Sequence, residues 1–161
     1  MIRRVTTIVL AGVIMMTVAS SSALAANVHL KKGSLQFTDN GLTLSATGAL
    51  AGLGNEDIQV ILTATGDVSA TCSNPAGHQA PGQNPADVTL TGVQNIPSTS
   101  IKNGNVRFDV TTGAPEQPTW DEAGCPNRRW TAEITDVDFT SATLTVIQDG
   151  ETVLERTSTN V

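Results

Sequence analysis

Histidine and cysteine are almost missing from this sequence, two of each in 161 residues. A structural zinc site needs three or four ligands and a thiolate nucleophile needs a neighbouring imidazole, so neither chemistry is favoured. The sequence also lacks a Gly-x-Ser-x-Gly elbow, a phosphate-cradling glycine loop and an interleaved Asp-x-Asp-x-Asp-Gly calcium loop. Those absences remove the signatures of many hydrolases, nucleotide-binding proteins and calcium-loop proteins. Cations are scarce, nine Lys and Arg against fifteen Asp and Glu. An acidic chain is repelled by phosphate backbones and anionic membranes, so neither nucleic acid nor a membrane surface is an expected partner. The one long apolar run, residues 8–18, is too short to span a bilayer.

What that run does match is an export signal. Arg3 and Arg4 precede it, and a small-residue segment ends in Ala23-Leu24-Ala25, the pattern of a secretory signal peptide with an Ala-x-Ala cleavage site. The expected division is a signal peptide over 1–25 and one domain over 26–161, secreted or otherwise extracytoplasmic, with cleavage after Ala25 or Ala26. No later segment predicts a membrane span and the carboxyl end carries no hydrophobic sorting tail. Residues 26–161 hold seven basic and fifteen acidic residues, a formal charge of −8.

In an exported chain the two cysteines predict one disulfide, Cys72 to Cys125. Closing a loop of some fifty residues stabilises a fold by about 4 kcal/mol on loop-closure grounds. Cys72 opens a polar stretch, residues 72–90, in which Asn74-Pro75-Ala76 and Asn84-Pro85-Ala86 repeat a tripeptide ten residues apart. Each proline holds its asparagine extended, and the asparagine side chain can accept from amides just beyond, which starts a turn. Pro81-Gly82 is a third turn signal, with Gly82 expected at positive φ. The prolines reduce the entropy lost on ordering, so this stretch reads as a shaped surface and not a tether.

Periodicity is two almost everywhere else. Leu35 and Phe37 alternate with polar neighbours, and the turn Asp39-Asn40-Gly41 leads into the alternating run 42–47, a predicted hairpin. Residues 49–57 read as a flexible connection. The most regular strand places Ile58, Val60, Leu62, Ala64, Gly66, Val68, Ala70 and Cys72 on one buried parity, with Gly66-Asp67 marking a bulge or a bend where the strand crosses between sheets. Val88 and Leu90 resume the alternation, and Gly92 is expected to shift the phase so that Val93 turns inward. Val106, Phe108 and Val110 form another strand. Trp130, Ala132 and Ile134 begin a further one, with a phase change near Thr135-Asp136. Ala142, Leu144 and Val146 make the next, and Asp149-Gly150 is a strong hairpin signal into Val153.

About eight short strands, no helical period and twenty Thr in residues 26–161 argue a single all-β antiparallel sandwich of Greek-key type, with an up-and-down barrel as the alternative. The architecture resembles immunoglobulin-like sandwiches. The motifs of antibody domains are absent: Gln83 to Pro85 occupy the place of the core Trp, Ala123 the place of the corner Tyr, and the chain has no Tyr. The disulfide is therefore expected to staple loops at one end.

The candidate binding surface is that end, residues 73–86 and 113–129. Trp120-Asp121-Glu122 is its best binding element, an indole beside carboxylates. With five aromatics in the chain, Trp120 is nevertheless expected to fold under its loop as a plug, and Trp130 to join the core. Arg128 and Arg129 are expected to pair with Asp121 and Glu122. Asn74, His78, Gln83 and Asn84 complete the candidate loop, with His78 facing solvent. Asp136 and Asp138 share a strand face where carboxylates are ordinarily just solvated; calcium is the alternative. His29 becomes a copper(II) ligand only if the mature chain begins at Asn27, which would put it third from a free amine. The sequence calls for no cofactor and specifies no enzyme. It predicts a secreted, non-enzymatic binding or cell-envelope module for a protein or carbohydrate ligand. The competing class is a secreted calcium or copper protein, or a small hydrolytic enzyme.

Overall fold

The computed structural model describes residues 27–83, 86–159 and 161. The signal peptide read over 1–25, and the Asn84-Pro85 turn, lie outside the described residues. Nine strands and one 3-10 turn, Ser98–Ser100, are present among them. The strands are β1 (His29–Leu30), β2 (Gln36–Asp39), β3 (Leu44–Ala51), β4 (Ile58–Ser73), β5 (Gln79–Pro81), β6 (Val88–Ile96), β7 (Val106–Thr111), β8 (Thr131–Gln148) and β9 (Glu151–Ser158).

They form two antiparallel sheets, as the alternating patterns require. In the smaller sheet β3 is central, with β1 and β2 in tandem along one edge and β7 along the other. In the larger, β4 pairs over its whole length with β8, carries β6 and β5 in tandem on its other edge, and β9 closes beyond β8. Pairing of β3 with β7 and of β4 with β8 sends the chain between layers, so the order is that of a sandwich and not of an up-and-down barrel. The inner faces meet in one core around Leu44, Leu50, Val60, Leu62, Leu144 and Val146, all fully buried. The inward parity of β4 holds through to Cys72, and the turns at Gly41 (φ 84) and Asp149-Gly150 (φ 52 and 77) close the two expected hairpins.

Five sequence expectations are corrected. The runs starting at Trp130 and Ala142 are one 18-residue strand, β8, because bulges reverse its parity without breaking the ladder. Register jumps at Thr65/Gly66 and Ser69/Ala70 leave Thr140 and Thr135 of β8 unopposed, so the bulge foreseen at Gly66 places its extra residue on the partner strand. Val93 does not turn inward: it is 51% exposed, and Gly92 holds the buried parity. A Cβ on Gly92 would lie 2.0 Å from the Thr111 carbonyl oxygen, so glycine is what lets β7 approach β6 and close one side of the sandwich. The connection read over 49–57 begins later, since residues 49–51 belong to β3 and Leu50 pairs with Leu30 in the core. Trp130 is half-buried and outside the main core, in a turn where its N–H donates to the Asn127 carbonyl (3.0 Å). It packs on a second small cluster of Ala70, Cys72, Ala123 and Cys125, which the disulfide creates away from the sheets' centre.

Candidate functional site at the disulfide-linked end

Cys72 and Cys125 are bonded, with Cα atoms 5.7 Å apart, and they stand 53 positions apart in sequence. The bond carries residues 113–130 against the mouth of the 73–87 loop, and backbone contacts extend the seam. Gly82 N–H donates to the Ala70 carbonyl (2.7 Å) and Gln83 N–H to the Ala123 carbonyl (2.8 Å). Gly82 is not at positive φ as expected. It is there for space, because a Cβ would meet the Ala70 Cβ at 3.0 Å and the Ala123 oxygen at 3.1 Å.

Each loop is also held internally. Asn74 Oδ1 accepts from Ala76 N–H and His78 N–H, both at 2.9 Å, the turn that an Asn-Pro start implies. Residues 79–81 then pair with β4 as β5, so part of the loop is sheet edge. His78 and Gln83 are exposed; Asn84 lies outside the described residues. In the second loop Thr119 donates its N–H to Glu122 Oε2 (2.8 Å), and its hydroxyl lies within hydrogen-bond reach of Glu122 Oε2 (2.6 Å) and Asp121 Oδ1 (2.8 Å). Cys125 N–H donates to the Trp120 carbonyl (2.7 Å), knotting residues 119–125.

The two carboxylates are thus turned toward Thr119, and among the described residues no ion pair joins them to Arg128 or Arg129, contrary to expectation. Hydrogen bonds from the Thr119 hydroxyl and amide hold Glu122 below the ordinary carboxylate range. Trp120 does not plug the sandwich. It is 39% exposed, and the small cluster of Ala70, Cys72, Ala123 and Cys125 packs against Trp130 and Ala132 instead.

Beside this end lies a cleft of about 400 Å³, floored by Val68, Val88 and Ile134 and rimmed by Asp87, Glu116 and Glu122. Gln117 Oε1 accepts the Ile134 N–H (2.7 Å), pinning the covering segment to β8 next to a bulge. Asp67, across from Asp138 on β8, is pushed above its ordinary range chiefly by the charge of Asp87 and then by a hydrogen bond with it. Sequence reasoning missed Thr119, Glu116, Gln117 and Asp87. Only Thr119 had a signal, since Thr119-x-x-Glu122 has the spacing of a helix capping box, realised here on a single turn.

The remaining sequence candidates stand apart. Asp136 and Asp138 face outward on β8 opposite Ser69 and Asp67, and no group of three or more His, Cys, Asp and Glu among the described residues is set to hold a metal ion. His29 opens β1 and donates from Nδ1 to the Asn27 carbonyl (2.8 Å). The copper arrangement depends on the cleavage point before Asn27, outside the described residues.

No protein-family model matches the sequence, and no curated protein matches it. Solved structures of a glycosyl hydrolase family 2 member from Bacteroides cellulosilyticus align with it at 12% identity. One, from strain DSM 14838, has a TM-score of 0.32 over 81% of this chain and 15% of its own; another has 0.31 over 81% and 14%. The chain therefore spans a small fraction of the length of those proteins, and its function has to be argued from its own surface.

Proposed function

We propose that this is a secreted, non-enzymatic binding module of the cell envelope or its surroundings, using the disulfide-linked end of a β-sandwich to hold a protein or carbohydrate ligand. The observation that carries the reading is Trp120, exposed on a loop that a disulfide, the Gln83–Ala123 hydrogen bond and the Thr119 knot all immobilise. A large apolar side chain costs solvation where it stands, and a rigid loop loses little entropy when it docks; together these are the features of a preorganised anchor. Specificity then falls to the exposed polar groups nearby, Gln83 and His78 among them.

The test is affinity capture with residues 26–161 from culture medium and envelope fractions. The native protein is expected to retain a ligand that Trp120→Ala loses and Thr63→Ala, on the outer face of β4, keeps. Identical capture by all three proteins would remove the loop end from consideration.

A further inference from the structure

The outer face of the smaller sheet carries a second surface, built by strand register and independent of the loop end. Ala49 of β3 lies opposite Arg107 of β7. On the other edge of β3, Lys31 donates its backbone N–H to the Ala49 carbonyl (2.8 Å). Leu30 and Leu50, one position away, pair on the core side, so Lys31, Ala49 and Arg107 form one outward row, a methyl group between two cations. Adjacent strands stand about 4.8 Å apart, which puts the two basic backbones roughly 10 Å apart, a span that two long side chains close from either side.

Lys102 closes the end of the row. It sits on a tight turn with Asn103 and Gly104 at positive φ, secured by reciprocal 2.9 Å bonds between Lys102 and Asn105 and docked by Leu53 N–H on the Gly104 carbonyl (3.1 Å). Lys31, Lys102 and Arg107, with Ser100 beside them, line a depression of about 340 Å³ that no carboxylate lines among the described residues. None of the three cations is ion-paired among the described residues; Lys102 Nζ donates one hydrogen bond to the Thr99 carbonyl (2.8 Å) and keeps two N–H groups, while no side-chain hydrogen bond holds Lys31 or Arg107. The depression continues into a larger one of about 670 Å³ that shares Lys31, Ala49 and Arg107 and adds Gln36, Thr47 and Asp109. That second row, Gln36–Thr47–Asp109 in register across three strands, offers amide, hydroxyl and carboxylate groups suited to hydroxyls.

We propose that this groove binds a saccharide bearing a single anionic group, its oxyanion over Ala49 between Lys31, Lys102 and Arg107 and its hydroxyls along Gln36, Thr47 and Asp109. Two features select one anionic group rather than a polyanion. The domain's net negative field repels extended polyanions, and Asp109 opposes a second anionic group one row away. The oxyanion is a carboxylate or a phosphate; Arg and Lys recognise both.

The test is an amide-resolved NMR titration of residues 26–161 with glucuronate, glucose 6-phosphate, inorganic phosphate and glucose. Saturable shifts are expected at Lys31, Ala49 and Arg107 with one or both anionic sugars, and whichever binds tighter identifies the oxyanion. Glucose should leave those amides in place. Arg107→Gln should weaken the anionic sugar by about tenfold or more, the loss of one charge-assisted bond, without disturbing the rest of the spectrum, while Trp120→Ala should leave this affinity unchanged. The proposal is overturned by an absence of saturable shifts at millimolar sugar, by glucose responding equally, by inorganic phosphate binding as tightly as the sugars, or by Arg107→Gln binding like the native protein.

Discussion

Asp67 is a residue whose surroundings work against its charge. Asp87 and, more weakly, Asp138 oppose its ionisation, so the folded protein holds the Asp67 proton more tightly than the unfolded chain does. The sign follows from linkage: ionisation costs stability as pH rises from the ordinary carboxylate range through the raised folded value, and the cost is absent below both. Asp67→Asn is therefore expected to raise the melting temperature at neutral pH, with the difference shrinking to nothing in acid; melting curves of both proteins across that range check it. Asp57 and Glu122 have the opposite sign. Asp57 Oδ1 accepts the Ser98 N–H (2.7 Å), and Thr119 holds Glu122, so each favours its ionised form and loses its contribution as pH falls through the depressed value. Acid should therefore loosen the Thr119 knot of the candidate binding loop only below the pH at which ordinary carboxylates protonate.

The longest elements, β4 and β8, organise the larger sheet, and their parity can be tested directly. Leu62 is fully buried against Leu144 while Thr63, one position on, faces outward between Thr91 and Thr143. Leu62→Asp buries an unpaired carboxylate and should exceed about 4 kcal/mol, enough to unfold the domain. Thr63→Asp is expected to cost no more than about 1 kcal/mol in urea unfolding. Comparable losses in the two variants would mean that both faces of β4 are covered. The parity of β4 was legible in its sequence because alternation ran through its sixteen residues with Ile61 the one large apolar residue out of phase. That of β8 was legible only in pieces. Its unopposed Thr135 and Thr140 each reset the pattern, and a reset looks like a strand end until a partner strand supplies the register.

At the scale of the whole molecule the disulfide ties a small satellite cluster, and the loops above it, to a domain whose main core lies between the sheets. Replacing both cysteines with Ser should lower stability by about 2–5 kcal/mol, measured by urea unfolding, and leave the β-type circular dichroism in place at low temperature. The main core lacks nothing that the bond supplies. The loop end does depend on it, so the double variant should also lose any ligand captured through Trp120.

What the sequence by itself determined was local: alternation, the hairpin turns at Gly41 and Asp149-Gly150, the Asn74 turn, and a disulfide for which only one pairing of two cysteines exists. Each depends on residues close in the chain or on simple counting. What only the tertiary structure decided depends on residues far apart. Gly92 reads as a phase break until the Thr111 carbonyl is seen occupying the space of its Cβ. Trp120 reads as a plug until the satellite cluster around the disulfide is seen to be covered by Trp130 and Ala132, with Trp120 left exposed. Lys31, Lys102 and Arg107 lie far apart in the chain, and only the strand pairing of β3 places Ala49 between Lys31 and Arg107. Strand pairing sets those distances, and periodicity in one strand says which face a residue takes but not which strand lies beside it.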